Sequence, residues 1–237
     1  MGLIGRFIFT LRNQLIIKAM NIYNVIILDE SGSMSSIYNE TIVSMNEVLS
    51  GIRKNQEEHP EQHHFVTFVT FEGNGIAGVK VRRDRVPIDA VEDITTKDYR
   101  PGGCTPLYDA MGKTLNKMEE LVRDDERVVV TVITDGMENS STEYSGKTVK
   151  TMVERLREKG WILGYIGANQ DSVEVAKDLS IDNAVDFCAC PEGTVYVARK
   201  MRRAHRNTAM LFSICKDTSE MAKYDKLFDE EEGKDKK

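Results

Sequence analysis

Val25-Ile26-Ile27-Leu28-Asp29-Glu30-Ser31-Gly32-Ser33 joins four consecutive apolar residues to a carboxylate and two hydroxyls. An apolar run without alternation is the pattern of a strand buried on both faces, as in a parallel sheet covered by helices. The oxygen-bearing side chains then fall on the loop that leaves the strand. Hard divalent cations such as Mg²⁺ take oxygen ligands, so this loop is a candidate cation site.

Two further segments repeat the arrangement. Gly102-Gly103-Cys104-Thr105-Pro106 sets a hydroxyl in a glycine-rich loop before a helical pattern, and Val128-Val-Val-Thr-Val-Ile-Thr-Asp135-Gly136 sets a carboxylate after a second buried strand. Each piece alone reads equally well as a helix cap or a turn. In this order, each at a strand end or helix start, the three segments together point to one site.

The remaining segments supply the frame. Tyr23 to Leu28 reads as a strand, Ile42 to Ile52 as a helix ending between Gly51 and Asn55, and His64 to Phe71 as a second strand. Gly73-Asn74-Gly75 is a hairpin signal, so Val79 to Val86 is predicted to return antiparallel. Leu107, Ala110, Met111, Leu115, Met118 and Leu121 form an amphipathic helix, with Thr105 at its cap and Pro106 in its first turn. Beyond the strand Val128–Thr134, a helix is marked by Val149 to Leu156 and a strand by Trp161 to Gly167. Asp171 and Glu174 suggest a capping box for a short helix through Leu179, followed by a strand over Ala184–Phe187 and a helix over Gly193–Asn207. Strands alternating with helices predict an α/β, doubly wound, mostly parallel six-stranded sheet, with one antiparallel edge strand and helices on both faces. Ligands of such sheets bind beyond the carboxyl ends of the strands, where all three oxygen-bearing segments fall.

These three segments resemble the metal-ion-dependent adhesion site of the von Willebrand factor A (VWA) family, and the resemblance covers Asn21 to Asn207. It implies the Rossmann-like fold of that family. It also implies a divalent cation, Mg²⁺ or else Mn²⁺ or Ca²⁺, touched by the hydroxyls of Ser31, Ser33 and Thr105 and bound directly or through water by Asp29 and Asp135. Glu30 occupies the freely varying position of the pattern. Three neutral hydroxyls and two carboxylates leave such an ion electrophilic, with a position free for a Glu or Asp carboxylate from a partner. The implied role is metal-dependent protein binding. The alternative is a metal-dependent hydrolase, which would need a base, and His59, His63, His64 and His205 all lie away from the motifs. Free-standing bacterial relatives imply an AAA+ ATPase or a stress-response component as the class of partner, and a cytoplasmic setting.

Composition sets the bounds. The 237 residues carry 41% hydrophobic and 30% charged side chains with a net charge of −6, which suits a single soluble domain and argues against nucleic acid as a partner. No run approaches the roughly 18 apolar residues of a membrane span. Residues 1–20 are set apart as an N-terminal extension, read as an over-long start or a loosely packed segment. Residues 21–207 form the domain, and 208–237 an extension ending in a charged tail. The four cysteines have no zinc spacing and read as reduced. Ser145-Gly146-Lys147-Thr148 lacks the earlier glycine of a phosphate loop. Arg199 to Arg206 reads as a solvated basic helix face, and His59, His63 and His64 as a solvated loop. Glu138, Asn139 and Glu143 are candidates for the rim of the metal face.

Overall fold

The computed structural model describes residues 19–73, 78–168, 172–188 and 190–215. Six strands, β1 (Met20–Asp29), β2 (Gln62–Phe71), β3 (Val79–Pro87), β4 (Arg127–Thr134), β5 (Ile162–Ala168) and β6 (Asn183–Phe187), form one sheet in the order β3-β2-β1-β4-β5-β6. β2 and β3 pair antiparallel and every other pair is parallel, so the predicted architecture is the observed one. Five helices flank the sheet: α1 (Tyr38–Glu58), α2 (Leu107–Leu121), α3 (Gly146–Glu158), α4 (Ser172–Asp178) and α5 (Pro191–Ile214).

The unbroken apolar run of β1 divides its side chains between two cores. Val25 and Ile27 pack with Leu107, Met111 and Leu115 of α2 and Val149, Val153 and Leu156 of α3. Ile26 and Leu28 face the opposite layer, with Met45, Val48 and Leu49 of α1 and Val197 and Met201 of α5. A third cluster closes the amino-terminal end of the sheet, where Phe212 and Ala204 of α5 meet Ile22, Val129 and Ile162. No described helix is long and apolar enough to cross a membrane.

Several local readings are corrected. α1 continues through Gly51 to Glu58, with Ile52 and Asn55 buried beyond the glycine and the methylenes of Arg202 over it, Cγ 3.0 Å from where a Cβ would sit. α5 runs to Ile214, past Asn207, since Phe212 is buried against the foot of the sheet. Thr105 does not cap α2: Pro106 holds that position without a side-chain cap bond. His64 is not on a solvated loop. It is 3% exposed within β2, its ring nitrogens 3.3 Å from Asn24 Nδ2 and 3.1 Å from Gln62 Oε1. His205, inside the segment read as a solvated basic face, is also buried, while Arg202 on that segment pairs with Glu47 of α1. Asn74, Gly75 and Asp171 lie outside the described residues, as do residues 1–18 and 216–237.

Candidate metal centre

Backbone geometry delivers the site residues to one edge. β1 ends on Asp29, which is fully buried, and its carboxylate Oδ1 accepts the Ser31 amide at 2.7 Å. That bond turns the chain out of the strand and into a short 3₁₀ turn over Gly32–Ile37. Ser31 Oγ and Ser33 Oγ then lie 3.1 Å apart, and the Ser33 hydroxyl donates to Asp135 Oδ1 at 2.6 Å. Thr134, the last residue of β4, donates its hydroxyl to Asp29 Oδ2 at 2.5 Å. A continuous chain of polar contacts therefore joins the ends of β1 and β4, which are neighbours at the centre of the sheet.

Thr105 arrives on a third segment. The Gly32 amide donates to the Gly103 carbonyl at 3.1 Å, and Gly103 adopts φ 75°, a conformation open to glycine. The Thr105 amide donates to Asn139 Oδ1, and the Thr105 carbonyl accepts the Asn139 amide. Gly136 shows how close the pieces come. A methyl group on its α-carbon would lie 3.1 Å from Thr105 Oγ1, 3.7 Å from Ser33 Oγ and 3.8 Å from Asp29 Oδ2. Oxygens from two chain segments, the loop after β1 and the loop that carries Thr105, thus border one small space that a glycine on a third segment leaves open. Asp29, Ser33 and Thr105 border that space, and Ser31 and Asp135 join the group through their contacts with the Ser33 hydroxyl.

The electrostatics follow from burial. The Asp29 carboxyl is pushed up to about 6, chiefly by desolvation, with the charge of Asp135 adding and the bonds from Thr134 and Ser31 opposing. Asp135 is raised by burial too, against the Ser33 hydroxyl. Among the described residues no group of three or more His, Cys, Asp or Glu side chains is arranged to hold a metal. The candidate donor set here is two carboxylates completed by hydroxyls.

Sequence reasoning missed the residues that brace the site. The Tyr99 hydroxyl, buried against the ring of Tyr38, donates to the Asp29 carbonyl at 3.0 Å. Glu30 is fully buried. Asp109 on α2 accepts the amides of Thr142, Glu143 and Tyr144. Of the three residues expected at the rim, Asn139 reaches Thr105, while the carboxylates of Glu138 and Glu143 are engaged by other groups. Glu138 accepts from the amides of Tyr108, Ser140 and Ser141, and Glu143 pairs with Lys113. A polar residue closing an otherwise apolar strand was the available signal for Thr134. Nothing comparable marked Tyr99.

The von Willebrand factor type A domain model matches residues 25–207. Among solved structures, the pilus adhesin SpaC from Lactobacillus rhamnosus GG, in its open conformation, is similar with a TM-score of 0.60 and 12% identity, covering 82% of this chain and 31% of that one. A von Willebrand factor type A protein from Catenulispora acidiphila matches with a TM-score of 0.53 and 16% identity, over 79% and 43%. Proximal thread matrix protein 1 from the mussel byssus, solved with a zinc-occupied MIDAS motif, matches with a TM-score of 0.52 and 16% identity, over 80% and 47%. At these identities the likeness is one of fold. The chain spans less than half the length of each of these three proteins. A comparison with curated proteins finds no significant match.

Proposed function

We propose, from the premise that this chain belongs to the von Willebrand factor type A domain family, that it binds another protein through a divalent cation held by Asp29, Ser31, Ser33, Thr105 and Asp135. The observation that carries this reading is the space beside Gly136, ringed by oxygens of Asp29, Ser33 and Thr105. All the donors are hard oxygens, which suits Mg²⁺ first and Mn²⁺ or Ca²⁺ next. Two buried carboxylates whose charges oppose each other are also what a divalent cation would stabilise.

The residues divide the work. Asp29 and Asp135 supply the negative charge, and the hydroxyls of Ser31, Ser33 and Thr105 add neutral donors. Thr134 and the Ser31 amide fix the Asp29 carboxylate from behind, and Asn139 fixes Thr105 through its backbone. A cation bound here supplies Lewis acidity toward a carboxylate oxygen of the partner. Binding is favoured over hydrolysis because the two buried histidines, His64 and His205, are committed elsewhere in the fold. The partner class we propose is a protein presenting an exposed Glu or Asp, an AAA+ ATPase or stress-response component being the class the family suggests. Cys104, Cys188, Cys190 and Cys215 are all free thiols, which supports a cytoplasmic setting.

Calorimetric titration with Mg²⁺ and Mn²⁺, followed by protein capture with and without chelator, tests the reading. We expect saturable binding of at least one ion, and capture that is lost with chelator or with Asp135→Ala. Absence of ion binding by the folded wild-type chain would overturn it.

A further inference from the structure

Glu30 sits between two residues of the candidate metal centre, yet it points away from them. Its side chain is fully buried, and its partners come from three other places in the sequence. Arg82 of the edge strand β3 reaches both carboxylate oxygens, at 2.9 and 3.0 Å, and Lys80 approaches Oε2 at 3.4 Å. Oε1 also accepts the backbone amide of Arg100 at 2.5 Å. The main chain of Glu30 is occupied as well: its amide donates to the Phe71 carbonyl and its carbonyl accepts the Gly102 amide, both at 2.8 Å.

The Arg100 contact matters most. Arg100 is an exposed residue at the start of the segment that carries Thr105, the one candidate donor not on the loops after β1 or β4. That segment is fastened to the β1 loop at successive points: Arg100 to the Glu30 side chain, Gly102 to the Glu30 carbonyl, and Gly103 to the Gly32 amide. Of these three only the first depends on a side chain, and just before them the Tyr99 hydroxyl adds a tie to the Asp29 carbonyl. An amide accepted by a carboxylate is a strong bond, and a buried carboxylate left without partners would be costly. Arg82 and Lys80 set positive charge beside this buried carboxylate.

We infer that Glu30 is a positioning residue for cation binding, a clasp that sets the separation of Thr105 from Asp29 and Ser33. This rests on the proposed metal site. The motif position read as freely varying is, in this chain, the one that holds the third donor segment to the first. Arg82 and Lys80 carry the clasp out to the edge of the sheet.

Glu30→Gln and Glu30→Met separate the clasp from the charge. Both remove the charge and keep the volume, but only Gln retains an oxygen for the Arg100 amide. In Mg²⁺ titration, Glu30→Met should bind at least tenfold more weakly than wild type, and Glu30→Gln within about threefold of it. Thermal unfolding in chelator should fall to similar degrees in the two variants, since both lose the ion pair. A purely structural Glu30 would give equal Mg²⁺ affinities in the variants, and that result overturns the inference while leaving the metal site standing. Wild type that binds no ion overturns the metal reading and this inference with it. Amide exchange of the metal-free wild type needs no variant. The Arg100 amide should be protected despite its exposed position, and exchange at the rate of an unstructured peptide would show that the clasp does not form.

Discussion

At the scale of single residues, the site is defined by a missing side chain as much as by those present. Gly136 leaves the space that Thr105, Ser33 and Asp29 surround. Gly136→Ala should leave the fold, and the melting temperature in chelator, close to wild type, yet weaken Mg²⁺ binding tenfold or more, read by calorimetry. Four of the five candidate donors were legible in the sequence because they follow an apolar run whose strand character is plain, and Thr105 because it closes a glycine-rich loop before a helix. The bracing residues were not. Thr134 acts on a carboxylate 105 residues away, and Glu30 is engaged by Arg82, 52 residues on. Such partners are supplied by the fold, so no local pattern announces them. His64 shows the same limit, since a histidine before a strand reads as polar until the helices cover it. Its site gives a pH prediction. Burial first, and neighbouring histidine charge second, push the His64 imidazole down to about 3, and burial pushes His205 down to about 4. In the unfolded chain both take up protons near pH 6.5. Below that pH the unfolded state binds more protons at these two sites, so the histidine contribution to stability is fullest above 6.5 and falls as the pH drops toward 4, against the opposite contribution of Asp29, whose folded carboxyl is raised to about 6. Each histidine contributes at most about 1.4 kcal/mol per pH unit. Urea midpoints at pH 7.5 and 5 check this, and His64→Gln should shrink the difference between them.

At the scale of elements, α2 organises the loop that follows β4. The Asp109 carboxylate in its first turn gathers the amides of Thr142, Glu143 and Tyr144 at 2.8–2.9 Å. One turn on, Gly112 gives way to the Tyr144 ring, whose Cδ1 lies 2.2 Å from where a Cβ would sit. Tyr144 in turn accepts from Asn116. One helix face thereby shapes the segment that delivers Asn139 to Thr105. Asp109→Ala should cost on the order of 3 kcal/mol, because several amides lose a charged acceptor at once. A loss below about 1 kcal/mol in urea unfolding would show that the loop holds its shape without it. The periodicity of α2 was plain in the sequence, from Leu107 to Leu121. The ends of other helices were not: Gly51 reads as a stop, yet α1 runs on with Ile52 and Asn55 buried beyond it and the Arg202 stem packed over the glycine.

At the scale of the whole molecule, the cation and the fold should be linked. A ligand that binds only the folded state at a hundred times its dissociation constant adds about 2.7 kcal/mol. For a domain of this size that is a rise in Tm of about 5–10 °C. Mg²⁺ should produce such a rise, chelator should reverse it, and Asp135→Ala should abolish the response, all read by thermal unfolding.

The strand order has a consequence of its own. β1 stands in the middle of the sheet, paired on one side with β2 and on the other with β4, where Ile22 lies opposite Arg127. A ribosome making this chain releases β1, β2 and β3 long before β4. Through that interval one edge of this central strand has no mate, and helix α1 has a floor before α5 exists to cover its flank. Sheets closed by such distant pairings assemble slowly and expose sticky edges while they wait. The half-made protein is therefore a natural client for chaperones. Synonymous codons that pace translation between residues 90 and 135 should alter the yield of soluble protein more than the same changes placed after β6.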